Sequence, residues 1–99
     1  MITLRRTASV PAKNVGTALA WAREVTAYGK SKFGVDSVLQ MPIGGNPWRI
    51  SFVQQFENLA AMEKSQQNMM SDQKFMEMLA KSSDIYSVGS AVDEVWTNV

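Results

Sequence analysis

Residues 58–82, NLAAMEKSQQNMMSDQKFMEMLAKS, decide the fold. Leu59, Met62, Met69, Phe75, Met78 and Leu79 recur at helical spacing between two segments that alternate like strands, so the stretch reads as the second crossover helix of a small α+β domain. Asn58 can cap its start, because a short side-chain oxygen there accepts an otherwise unpaired helix amide. The register Leu59, Met62, Gln66, Met69 fails after Met69, where Ser71 and Asp72 offer a second cap ahead of Phe75. A break in the helix is expected at Ser71-Asp72.

Upstream, Trp48, Ile50, Phe52, Gln54 and Phe56 alternate with Arg49, Ser51, Val53 and Gln55, the strongest strand signal in the chain and the mark of a central strand. A turn-forming loop, Gly44-Gly45-Asn46-Pro47, joins it to a shorter strand over Val38–Met41 that stops at Pro42, so the two form a hairpin. Before these, Asn14 caps a helix that carries Val15, Ala18, Leu19, Ala22 and Val25 on one face and Trp21 and Tyr28 on a flank, its end bracketed by Gly29 and Gly34. Ile2, Leu4, Ala8 and Val10 alternate with Thr3, Arg5, Thr7 and Ser9 in a first strand interrupted at Arg6 and ended by Pro11. Downstream, Val88, Val92 and Trp96 alternate with Ala91, Val95 and Val99, so a last strand is expected from Tyr86 to the C-terminus.

The order β-α-β-β-α-β is the split βαβ, or ferredoxin-like, motif. Right-handed crossovers place strands one and three side by side, with strand four beside one and strand two beside three: a four-stranded antiparallel sheet with two helices on one face. The other face then carries Thr3, Arg5, Thr7, Arg49, Ser51, Val53 and Gln55, mixed enough either to face solvent or to pack on a partner.

At 99 residues the chain is expected to be a single domain, residues 1–99, burying about 60–65% of its unfolded surface. With 45% hydrophobic residues, 19% charged residues and a net charge of +1, it has a globular composition and no basic field to recruit nucleic acid or anionic lipid. No apolar run reaches the roughly 18 residues of a membrane span. Met1-Ile2-Thr3-Leu4-Arg5 lacks the order of a signal peptide and there is no cysteine, so cytoplasmic residence is expected.

The run Phe56-Glu57-Asn58-Leu59-Ala60-Ala61-Met62-Glu63, followed by Met70-Ser71-Asp72-Gln73-Lys74-Phe75-Met76-Glu77-Met78-Leu79, resembles the second half of small dimeric α+β barrel proteins of the antibiotic-biosynthesis-monooxygenase and NIPSNAP-like kind. The order of elements agrees with theirs over the whole chain. The resemblance implies a homodimer built by packing two sheets face to face, and a cleft between sheet and helices that holds a hydrophobic molecule. It does not imply an enzyme, because such folds host oxygenases, haem-degrading proteins and ligand binders alike.

The chain has no histidine, which removes the commonest general base, the commonest zinc and haem ligand and every Ser-His or Cys-His arrangement. The haem-degrading members of the resembled group use a histidine ligand, so this sequence departs from their pattern. Asp36, Asp72, Asp84, Asp93 and Glu94 show no spacing of oxygen ligands suited to a hard cation, and neither metal nor cofactor is expected. Gly29-Lys30-Ser31 echoes a phosphate loop, but Glu24 stands where that pattern needs glycine and the triplet ends a helix; Gly44-Gly45 reads as turn chemistry. The methionines at 62, 69, 70, 76 and 78 read as core, or as the lining of an adaptable pocket. The candidate ligand-binding residues are Trp48, Arg49, Phe52, Tyr86 and Trp96. Arg49 should point to the second face, where it either pairs with Asp93 or Glu94, the preferred reading, or meets an anionic ligand. Two functions follow: a homodimeric barrel of undetermined activity that binds a small hydrophobic or aromatic molecule, or a cofactor-independent monooxygenase acting on an aromatic substrate, with a carboxylate or a tyrosine such as Tyr86 as base.

Overall fold

Along the first and third strands the even-numbered residues, mostly apolar, face the helices and the odd-numbered ones, mostly polar, face away, with Arg6, Gln54 and Val53 as the exceptions. The computed structural model describes residues 1–99. Its elements are β1 (Ile2–Ser9), α1 (Val15–Phe33), β2 (Ser37–Gln40), β3 (Arg49–Phe56), α2 (Leu59–Met70), α3 (Gln73–Ala80) and β4 (Val92–Thr97). The sheet order is β2-β3-β1-β4, antiparallel throughout, as the crossover argument requires, and the helices pack on one face.

Register sets what meets what. Ile50 lies opposite Ala8, Phe52 opposite Arg6 and Gln54 opposite Leu4 on the helix side of the β1–β3 pair. Ile50 is fully buried, and Ala8, Val10, Ala18 and Tyr86 close around it. Ala18 and Ala22 are also fully buried, and such small side chains let α1 settle close against the strands. Trp21 ties the layers together: its ring meets Tyr86 edge-on at 5.4 Å and Phe52 at 6.1 Å, and its indole Nε1 donates to the Met78 carbonyl at 2.9 Å.

The break at Ser71-Asp72 is present, so the single crossover helix is divided into α2 and α3. Asn58 caps α2 by accepting the Ala61 amide at 2.8 Å, and Asp72 caps α3 by accepting the Phe75 amide at 2.9 Å. The same Asp72 oxygen accepts the Tyr28 hydroxyl at 2.7 Å, which pins the break to α1. That hydroxyl bond, ahead of the Phe75 amide, holds the Asp72 carboxyl below its usual range, and the Tyr28 phenol is raised in return.

Four local expectations are corrected. The last strand begins at Val92, not Tyr86; Lys81–Asp84 form a 3-10 turn, Gly89 adopts a positive φ of 77°, and Ser90 closes the turn by donating to the Ser87 carbonyl at 2.6 Å. Asn14 stands at the start of α1 but makes no cap, because its amide donates instead to the Ile85 carbonyl at 3.1 Å. Helix α1 runs through Gly29 and ends at Gly34, whose left-handed φ of 69° is the conformation that favours glycine. Strand β2 starts and stops one residue earlier than Val38–Met41.

The second face carries the expected residues. Val38, Val53, Arg5 and Glu94 form one row across it, and Gln40, Ser51, Thr7 and Val92 the next. Arg5 donates to Gln40 at 2.8 Å, and the Thr7 and Ser51 hydroxyls pair at 2.7 Å. Val38, Val92 and Trp96 are 57%, 61% and 63% exposed on it. No helix is long and apolar enough to cross a membrane.

Candidate functional site: a cleft between sheet and helices

The helix layer does not fill the space above the sheet. A cleft of about 460 Å³ remains, of the size that holds a small organic molecule. Leu4, Arg6, Phe52, Gln54 and Asp93 form its sheet wall, and Trp21, Val25, Thr26 and Gly29 line it from α1. The opposite wall is flexible and apolar: Met69, Met70, Phe75, Met76 and Leu79. The methionine cluster thus divides between two roles, with Met69 and Met78 buried and Met70 and Met76 left partly in solvent at the cleft.

One charged pair stands in this apolar setting. Arg6 falls on the helix side of β1, where alternation would place an apolar residue, and Asp93 is its direct partner on β4. Arg6 Nε donates to Asp93 Oδ1 at 2.7 Å and Nη2 donates to Oδ2 at 2.8 Å, a two-pronged bond of the strong guanidinium–carboxylate kind. Their side chains are 49% and 41% exposed, so the pair sits at the rim of the cleft. The hydrogen bonds raise Arg6 and hold Asp93 below the usual carboxylate range, against the opposing pull of burial. Arg6 Nη1 has no partner within the chain. Gln54 Nε2 donates to Ser37 Oγ at 2.8 Å, which leaves the Gln54 carbonyl as a free acceptor on the same wall.

Of the residues singled out from sequence, Phe52 lines the cleft. Tyr86 lies behind it in the core, donating to the Ala18 carbonyl at 3.3 Å, and burial pushes its phenol up to about 12. Trp96 lies on the second face of the sheet, in register with Thr3. Trp48 is half-exposed at the mouth of β3. The expected ion pair of Arg49 with Asp93 or Glu94 is not formed: Arg49 Nε donates to the Asn46 carbonyl at 2.9 Å, because Arg49 opens its strand beside the turn, and Asp93 is held by Arg6. Among the cleft residues that sequence reasoning passed over are Arg6, Asp93 and Gly29. Arg6 had left a trace, as the one interruption in an otherwise apolar face.

No protein-family model matches the chain, and no curated protein matches it. Solved structures do. The fold superposes on a NIPSNAP family protein with unknown function from Agrobacterium tumefaciens with a TM-score of 0.83 at 19% identity, covering 100% of this chain and 88% of that one. An uncharacterized NIPSNAP domain protein from Burkholderia xenovorans gives a TM-score of 0.86 at 9% identity, covering 100% of this chain and 95% of that one. A candidate antibiotic biosynthesis monooxygenase from Nitrosomonas europaea gives 0.76 at 9% identity, covering 100% and 99%. At these identities the likeness is one of fold: the chain has the ferredoxin-like α+β fold of these NIPSNAP and antibiotic-biosynthesis-monooxygenase-like structures, the group that the residues around Asn58 and Asp72 resemble.

Proposed function

We propose that the protein is a single-domain, homodimeric binder of a small hydrophobic or aromatic molecule, held between sheet and helices. The observation that carries this reading is the cleft itself. A cleft of about 460 Å³ walled largely by Phe52, Phe75, Leu79 and methionine side chains, with one charged pair at its rim, has the size and character that suit a small organic molecule. The second face of the sheet supports the dimer: Val38, Val53, Val92 and Trp96 supply apolar area between paired polar groups, and a two-fold partner would bury on the order of 1,500 Å² in total. The absence of cysteine, which leaves no disulfide framework, accords with the cytoplasm as its location.

The fold likeness to a candidate monooxygenase keeps a second reading in view, that of a cofactor-independent oxygenase of an aromatic substrate. Its base would be Asp93, the one carboxylate on the cleft wall. Tyr86 cannot serve, since a phenol at about 12 stays protonated at neutral pH and does not line the cleft. Asp93, held low by Arg6, is a weak base, and this favours binding over chemistry. Titration with Nile red, a neutral fluorescent hydrophobe, tests the main reading. Leu79→Trp, which adds bulk to the cleft, is expected to abolish the fluorescence gain shown by the wild type; an undiminished gain in a folded variant refutes it. Oxygen uptake with polycyclic phenols tests the second.

A further inference from the structure

Gly29 is buried within α1, yet a Cβ there would meet no atom within 4 Å beyond its chain neighbours and the surrounding helix backbone. A glycine inside a helix lowers stability relative to alanine, so its presence needs a reason. Positive φ is not the reason, for Gly34, Gly45 and Gly89 alone adopt it. Tight packing is not the reason either, since the missing side chain would enter open space. That space is the cleft, whose α1 wall includes Gly29 beside Val25 and Thr26. The missing side chain therefore widens the cleft and bares the helix backbone to whatever occupies it.

The rim adds a second constraint. Arg6 and Asp93 are the only charged residues lining the cleft, and each is bound to the other. A neutral group brought against this pair disturbs no balance and can accept from the unpartnered Arg6 Nη1. A carboxylate or ammonium would bring a net charge into the apolar space with no counter-charge to meet it, because both local charges are already engaged.

We infer that the cleft selects an uncharged molecule whose acceptor oxygen meets Arg6 and whose apolar body lies against the α1 backbone at Gly29, making Gly29 the residue that sets the size of ligand admitted. The inference rests on the small-molecule reading above and narrows it to a ligand class.

Three probes of similar bulk separate the possibilities: 2-acetylnaphthalene, which is neutral with an acceptor; 2-naphthoate, which is anionic; and naphthalene, which has no polar group. Binding is followed by NMR shifts of the Val25 and Leu79 methyl groups. The ketone is expected to bind at least about tenfold more tightly than naphthoate at neutral pH, with naphthalene weaker than the ketone. Asp93→Asn, which leaves the Arg6 charge unopposed, is expected to reverse the order in favour of naphthoate. Gly29→Ala is expected to raise the unfolding midpoint while weakening the ketone about tenfold, an opposition that a merely structural glycine would not produce. Naphthoate binding the wild type as tightly as the ketone, or Gly29→Ala binding the ketone undiminished, overturns this inference and leaves the cleft reading standing. Failure of all three probes to shift Val25 and Leu79 overturns the cleft reading as well.

Discussion

Replacing Ile50 by alanine tests whether the sheet is packed on α1 as described. Ile50 is fully buried at the centre of the cluster formed by Ala8, Val10, Ala18 and Tyr86. The substitution removes three carbon groups, each worth about 0.8 kcal/mol of transfer free energy. Its neighbours cannot move in to fill the space, because β1 and α1 are fixed by their own hydrogen bonds, so a cavity contribution adds to the loss and the total reaches about 3–4 kcal/mol. For a chain of 99 residues the unfolding entropy is about 0.2 kcal/mol per degree, which converts the loss to a fall in midpoint of about 15 °C. Urea and thermal unfolding, followed by circular dichroism at one protomer concentration, measure it, and the urea slope should stay the same. Ile43→Ala, in a fully exposed loop position, serves as control and should change stability by no more than about 0.5 kcal/mol. A loss below about 1 kcal/mol at Ile50 means that this side chain is not enclosed and that the layer packing is wrong.

Asp93 titrates below 3.8 in the folded protein, so its contribution to stability is complete above that value and is lost as pH falls through the lower folded one; the stability gap between wild type and Asp93→Asn should therefore narrow below about pH 4, and a gap independent of pH refutes the Arg6 pairing. Both tyrosines are raised, Tyr86 to about 12, so tyrosinate absorbance should rise in two steps, the Tyr28 step above the ordinary phenol range and the Tyr86 step later still, as stability falls; a single full step centred on 10 would mean that neither hydroxyl is held as described. Gly34→Ala should cost about 1 kcal/mol in thermal unfolding, since alanine is strained at a φ of 69°, and an unchanged midpoint would contradict that backbone geometry. If the proposed dimer is built on the second face, Arg49→Glu and Trp96→Asp there should shift sedimentation toward the monomer more than Lys64→Glu on α2; a monomeric wild type, or equal behaviour of the three, refutes that interface.

The parts of the fold that could be read from sequence are those governed by local chemistry. The alternation through Trp48–Phe56 and the caps at Asn58 and Asp72 each act within a few residues, and each appears where expected. Tyr86 misled because a tyrosine and a valine two residues apart look like strand alternation, while the deciding feature was the turn at Gly89 and Ser90, whose hydroxyl also receives the Ser9 amide at 3.0 Å. Asn14 misled because its side chain is turned toward Ile85, 71 positions away, where its Nδ2 donates while its Oδ1 accepts no helix amide. The site was harder to see for the same reason. Arg6 and Asp93 lie 87 positions apart and meet only through the pairing of β1 with β4, so their partnership belongs to strand register and not to any motif. Gly29 gave no sign, since a glycine facing a cavity and a glycine near a helix end are the same letter.

The pairing of Ile2 with Thr97 joins strands from nearly opposite ends of the chain, and every residue of β4 is exposed. Such a strand should arrive late: the loop it closes runs from Ile2 to Thr97, and little apolar burial compensates until β1 is already held by β3. The same weakness acts in reverse. Within one protomer β4 is an edge strand that buries little apolar surface, so its amides should exchange with solvent through local opening while those between β1 and β3 wait for global unfolding. Each such opening carries Asp93 away from Arg6, so the guanidinium at the rim is periodically freed, at a frequency set by the adhesion of one edge strand.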